Sequence, residues 1–261
     1  MDPAPRPHAG GTTTLTPAAP GRLRRGGTPH LVQAQRLVDY LSLPVCPPGN
    51  NVYKEPDQPN VVVWGSPDDA ATWINRSQCA SFQTAVLKRA HRWATSAFFT
   101  AHFGMASPFA RDYRAVFAED DVPRFRRVHR VADLRPGDLI AIDYRNEQDT
   151  NTGHIVMVRR TRGVYVAPVA SLNFPGEVQY AVEIVDCTSE PHGQVGVGNY
   201  AAYPDSRLVG RRRGEGAGYG HMMFYADERT GMFTRYRWSV NTASAGAHPM
   251  DRRPIAAARV G

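Results

Sequence analysis

Cys79, Phe82, Val86, Ala90 and Trp93 recur at three- and four-residue steps in the segment CASFQTAVLKRAHRW. One face of this stretch is therefore apolar at helical period and needs a second layer to cover it. That face begins with a cysteine. Ser77 can cap the helix by accepting an orphan backbone N–H, and Asn75 is the other candidate cap; either places Cys79 in the first turn. Further along, the apolar pattern switches to period two. Pro136-Gly137-Asp138 makes a turn, Leu139 to Tyr144 reads as a strand, and the polar loop RNEQDTNTG returns the chain as a second strand from His154. AVEIVDCT, residues 181–188, is a third strand, with Val182, Ile184 and Asp186 on one face and Glu183, Val185 and Cys187 on the other. A capped helix followed by strands that pair as hairpins predicts an α+β fold, with the cysteine-bearing helix packed on an antiparallel sheet.

The remaining segments decorate this unit. Residues 1–29 are rich in Pro, Gly and Thr and carry too little apolar surface to offset their ordering entropy, so a disordered tail is expected. From His30, HLVQAQRLVDYLSL has helical spacing and ends before Pro44, which predicts a helical extension. NVVVW (60–64) reads as a short strand, and TSAFFTAHFGMASPFARDYRAV as two helical pieces broken at Gly104 and Pro108. HMMFYADERTGMFTRYRWSV reads as a closing hairpin, and 241–261, rich in Ala, Arg and Pro, as a frayed tail. A single domain over residues 30–240 follows.

The net charge of +7 raises the question of a polyanion partner. Only Lys54 and Lys88 are lysine among 31 basic residues. Such an arginine skew also arises from GC-rich coding, so nucleic-acid binding is not the expected function. No apolar run is long enough to span a membrane. The N-terminus lacks the pattern of a secretory signal, which places the chain as written in the cytoplasm, or outside it if the true start lies upstream. Three cysteines, Cys46, Cys79 and Cys187, form no C-x-x-C pair.

A thiol attacks a carbonyl carbon as thiolate and needs an imidazole and oxyanion donors nearby. A helix N-terminus supplies partial positive charge and free N–H groups, which singles out Cys79 over Cys46 and Cys187. His91, twelve residues along the same helix, is too far from Cys79 for proton transfer. His192, in E-P-H-G, can line the cleft or act as base, and His221 lacks the hairpin context of His154. A zinc site from Cys187, His192 and a carboxylate fits no common ligand spacing, so no metal or cofactor is expected.

S-Q-C-A-S-F opening a helix, L-R-P-G-D-L-I-A-I as turn and strand, and G-H-I-V-M-V opening the next strand, in that order, resemble the NlpC/P60 superfamily and its CHAP relatives. Those are papain-like bacterial cysteine hydrolases. Across about residues 74–190 the resemblance implies Cys79 as nucleophile, His154 as base, 75 residues downstream, and Asp186 as the group that orients the histidine. It also implies a papain-like fold and a peptide or amide substrate, of which a peptidoglycan-derived peptide is one example. Asp186 follows His154 by 32 residues, well beyond the family's usual interval, so the intervening segment should form an extra strand and loop. Asn75, Ser77 and Gln78 are the candidates for the second oxyanion donor. Transfer of the acyl group to an amine or lipid would use the same three residues, and the arginine-rich surface leaves a non-catalytic anion-binding module as a further alternative.

Overall fold

The computed structural model of the chain describes residues 28–120, 122–146, 151–209 and 212–261. Residues 1–27 of the expected disordered tail fall outside this set, as do 147–150 of the polar loop and Arg211. The helices are α1 (Pro29–Leu41), α2 (Cys79–Ala90), α3 (Ser96–Phe103) and α4 (Ala110–Phe117). The strands are β1 (Asn51–Tyr53), β2 (Val61–Val63), β3 (Ile74–Ser77), β4 (Phe125–Val128), β5 (Leu139–Asp143), β6 (Gly153–Val164), β7 (Glu177–Thr188), β8 (Leu208–Val209), β9 (Arg212–Arg213), β10 (Gly216–Asp227), β11 (Phe233–Arg237), β12 (His248–Pro249) and β13 (Ile255–Val260).

Eight strands form one sheet in the order β12-β11-β10-β7-β6-β5-β13-β4, antiparallel throughout. The architecture is α+β, as the mixture of periods predicts. Strict alternation divides the sheet's side chains between two cores. Leu139, Ala141, Ile155, Met157, Val185 and Cys187 join the apolar faces of the helices, among them Phe82, Val86 and Leu87 of α2. Ile140, Ile142, Val156, Val158, Val182 and Ile184 turn the other way and meet Met222, Phe224 and Tyr236. Among the described residues, none of α1 to α4 contributes to this second core. The sheet encloses it by curling: Arg130, just past β4, makes a β-bridge with Met232, just before β11, and the Val131 N–H donates to the Gly231 carbonyl at 3.1 Å. Strands far apart in the sheet order thus approach each other, as the right-handed twist of a long antiparallel sheet allows.

The closing segment departs from expectation. Residues 241–261 are not a frayed tail: β13 is inserted between β5 and β4, so the domain extends to Val260. Its sequence, IAAARV, lacks the bulky residues that mark a buried strand. Ala256 and Ala258 face the helical layer, where α4 packs directly across β5 and β13, and Ala257 faces the second core; all three are buried. Arg259 then pins the strand to the Pro-Gly-Asp turn, its guanidinium donating to both carboxylate oxygens of Asp138 at 2.7 and 2.9 Å.

Two further differences are local. α2 ends at Ala90, because His91 is extended (φ −129°, ψ 128°), so Trp93 reaches the core from beyond the helix by packing on Phe98 and Phe125. The segment between His154 and Asp186 adds no strand; it lengthens β6 and β7 to 12 residues each and closes them with a loop.

A chain ending at residue 247 should lose cooperative thermal unfolding, because it leaves the β4 and β5 edges unpaired and strips the cover from α4. Circular dichroism melting of that truncation beside the full chain checks this.

Candidate active site

α2 follows β3 with no intervening loop. Ser77 is the last residue of β3, and Gln78, extended at φ −103° and ψ 172°, is the N-cap. Its backbone N–H donates to Ser81 Oγ at 2.9 Å, so one hydroxyl satisfies the start of the helix. Cys79 is consequently the first helical residue, where the unpaired N–H groups concentrate. β6 begins beside it: the thiol lies 3.8 Å from the Gly153 carbonyl, and His154 hydrogen-bonds to Cys79. His154 Nε2 lies 2.7 Å from Asp186 Oδ2 at the far end of β7, which leaves Nδ1 for the thiol. Residues 79, 154 and 186 therefore meet at one end of the sheet, where β6 starts and β7 finishes.

Asp186 is fully buried, and a lone carboxylate there would be very costly. Three side chains compensate it, each through one nitrogen. Arg207 Nη1 donates to Oδ1 at 2.8 Å, while His154 and His192 approach Oδ2 at 2.7 and 2.9 Å. Arg207 also holds Asp205, through Nε and Nη2 at 2.9 and 2.8 Å, and Asp205 in turn accepts the His192 backbone N–H at 2.7 Å. Burial by itself raises the Asp186 pKa; the charges of Arg207 and His192 and the hydrogen bonds from both imidazoles hold it well below the carboxylate range. Removing one partner of such a buried network typically costs about 3–5 kcal/mol.

Space for this network comes from glycines in β10. Gly218 lies opposite Asp186 in the β7–β10 register. A Cβ at Gly218 would stand 2.9 Å from Arg207 Nε, and one at Gly220 would stand 2.6 Å from the His192 ring. The irregular G-A-G-Y-G run is thus a cradle for the groups that hold Asp186.

Burial lowers the His154 pKa, but hydrogen bonds to Asp186 and Cys79 and the charges on both outweigh it and raise it to about 9. The ring is cationic at neutral pH. Trp238 stands edge-on to it at 4.8 Å and stacks on His192 at 4.1 Å, shielding both rings.

The other expected site residues divide. Asn75 and Ser77 face away from the thiol: the Ser77 hydroxyl donates to Asn75 Oδ1 at 2.6 Å, and Asn75 Nδ2 lies 3.5 Å from Cys187 Sγ. They are corrected as oxyanion candidates, because alternation along β3 points both into the interior. Gln78 alone of the three lines the cleft with Cys79. His192 does not serve as an alternative base: its Nδ1 bonds the Trp238 carbonyl at 2.7 Å and its Nε2 bonds Asp186, so both nitrogens are engaged behind the carboxylate. His91 pairs with His30 at 2.9 Å, and His221 Nδ1 bonds the Pro204 carbonyl, both outside the site. Burial pushes the Cys187 thiol up to about 12 and raises that of Cys46.

Tyr53, Asp205, Arg207 and Trp238 carried no sequence signal. Tyr53, at the end of β1, lies beside Cys79 on the wall of the same cleft. It also borders two hollows that flank Cys79 and His154. One, of about 240 Å³, lies on the Cys79 side beside Gln78, Ser107 and Phe109; the other, of about 280 Å³, lies on the His154 side beside Tyr144 and Trp238.

His154, Asp186 and His192 are also the one set among the described residues whose ligand atoms converge as a metal site would require, within 4.8 Å of one another. Both imidazoles are at hydrogen-bond distance from a single oxygen, and Arg207 occupies the other, so the arrangement suits protons better than a cation. Cys187 faces the helical core and does not belong to this set. Some of the arginines pair with carboxylates: besides Arg207, Arg160 pairs with Glu183, Arg235 with Glu177 and Arg259 with Asp138.

No family model and no solved structure matches the chain. An uncharacterized protein of Acanthamoeba polyphaga mimivirus, R653, is 26% identical over 206 residues, covering 75% of this chain and 82% of the viral one.

In Asp186→Asn the charge that raises His154 is lost while burial remains. Its titration, followed by histidine NMR, should fall from about 9 toward or below the ordinary imidazole value of about 6.5.

Proposed function

We propose that the chain is a papain-like cysteine hydrolase of the NlpC/P60 type that cleaves an amide or peptide bond. The observation that carries this reading is the line Cys79–His154–Asp186, drawn from three distant segments and set between two open hollows at a helix N-terminus. A merely structural cysteine needs neither the imidazole nor the buried carboxylate that holds it.

The chemistry runs through these groups in turn. The Cys79 sulfur attacks the carbonyl carbon as thiolate, with the His154 imidazolium beside it. The carbonyl oxygen becomes an oxyanion, met by the backbone N–H of Cys79 and the Tyr53 hydroxyl; burial raises the phenol's pKa, so it keeps its proton to donate. His154 passes its proton to the leaving amine, the C–N bond breaks and a thioester remains. Neutral His154 then takes a proton from water, whose oxygen attacks the thioester and releases the acid and the thiol. Asp186 keeps the ring in one tautomer and orientation through both steps.

Hydrolysis of an internally quenched peptide library, read by fluorescence and mass spectrometry, tests the proposal. Cys79→Ala should abolish turnover, and Tyr53→Phe should reduce kcat by about 10²–10³ with the fold intact. Because the reactive state needs protonated His154, kcat/KM should decline as pH rises through about 9. A Cys79→Ala chain that cleaves as the native one does removes the proposal.

A further inference from the structure

The hollow beside His154 contains a charge that nothing in the reaction uses. Arg253 lies in the turn between β12 and β13, where its backbone N–H donates to the Pro249 carbonyl at 2.9 Å and the next residue's carbonyl accepts from Asp143 at 2.9 Å. Its position is therefore set by the sheet on both sides. The guanidinium lies over the Tyr144 ring, 4.1 Å from its centroid, and Nη1 donates to the Tyr236 hydroxyl at 2.9 Å. Stacking and hydrogen bond together fix the plane of the fork.

Unlike Arg160, Arg207, Arg235 and Arg259, Arg253 pairs with no carboxylate among the described residues. The groups nearest to it do not neutralise it. Burial raises the Tyr144 and Tyr236 phenols, so both stay uncharged, and burial together with Arg253 itself lowers His248. Glu190, also on the wall of the hollow, is exposed and lies 3.8 Å from Arg213. A guanidinium has five N–H donors, and one is engaged here. What remains is an oriented cation, uncompensated by any carboxylate among the described residues, in a hollow of about 280 Å³ that opens on the catalytic imidazole.

We infer that this hollow is a carboxylate-binding subsite, in which Arg253 receives an acidic side chain or terminal carboxylate of the substrate while Tyr144 and Tyr236 hold the fork. The inference rests on the hydrolase reading and adds the substrate class: a peptide or amide with a carboxylate close to the scissile bond. A guanidinium fork matches a carboxylate in two parallel hydrogen bonds, whereas a neutral amide can satisfy it only in part. No bond is made or broken at Arg253; its role is specificity.

The test separates this inference from the hydrolase reading by measuring binding in the full-length Cys79→Ala chain, which cannot turn over. Isothermal titration with N-acetylglutamate, its neutral counterpart N-acetylglutamine and inorganic phosphate gives the three affinities. N-acetylglutamate should bind at least about tenfold more tightly than N-acetylglutamine, a margin of about 1.4 kcal/mol. Arg253→Gln should erase that margin and Arg253→Lys should restore part of it. With Cys79 intact, bound N-acetylglutamate should slow iodoacetamide labelling of the thiol, which locates the ligand beside it. Equal or undetectable binding of the acid and the amide by the folded chain overturns the subsite without any variant being needed. So does a margin that survives Arg253→Gln, or binding of phosphate in preference to the carboxylate. Absence of peptide hydrolysis with the margin intact overturns the hydrolase reading and leaves the subsite standing.

Discussion

A carboxylate with no access to water must be held by other charges, and at Asp186 that requirement organises a large part of the molecule. Arg207, His154 and His192 converge on it, Asp205 holds Arg207 and His192, and Trp238 covers both imidazoles. These groups come from four stretches of the second half of the chain, at residues 154, 186–192, 205–207 and 238. β6, β7, β10, β11 and the loop that carries residues 190–209 can take only one relative placement if all the hydrogen bonds are to close. An apolar core tolerates exchange of similar side chains, but a buried polar network does not, because a single unmet partner leaves the full desolvation cost exposed.

The curled sheet makes this placement possible. Its inner face carries an apolar cluster along most of its length and gives way to polar side chains only at one end, where Asp186 and His154 continue the rows begun by Val182, Ile184 and Val156. Strand alternation thus brings the two side chains onto one face, while Val185 and Cys187 hold the opposite face against α2. The helix is fixed to the sheet by its own apolar stripe, so the position of Cys79 depends on Phe82, Val86 and Leu87 as much as on the residues that touch the thiol. Closure also draws the C-terminal segment into the middle of the sheet, which is how Arg253 comes to share a hollow with His154.

Legibility followed residue type closely. The amphipathic face of α2, the Pro-Gly-Asp turn, the strand at His154 and the alternation of β7 all follow from local rules, and three of the residues that meet at the site lie on those elements. The oxyanion candidates show where local reasoning stops. Asn75 and Ser77 were chosen for nearness in sequence to Cys79, yet strand alternation directs them to Cys187, and the hydroxyl beside Cys79 belongs to Tyr53 on another strand. β13 is illegible for a related reason: its alanines signal a strand only once the layers that enclose them, α4 on one face and the second core on the other, are known.

What the sequence determined by itself is the periodicity of each element, the chemistry of the thiol, imidazole and carboxylate, and the order in which the chain delivers them. Those properties reside within a few bonds or one turn of backbone. The tertiary structure decided which donors surround Asp186, which hydroxyl faces Cys79 and which arginine shares a hollow with His154. Each of these depends on contacts between segments tens to well over a hundred residues apart, as Asp138 with Arg259 and Asn51 with Ala217 also are. No local pattern encodes such distances, because they are set by how a twisted sheet closes on itself, and that closure is a property of all its strands together.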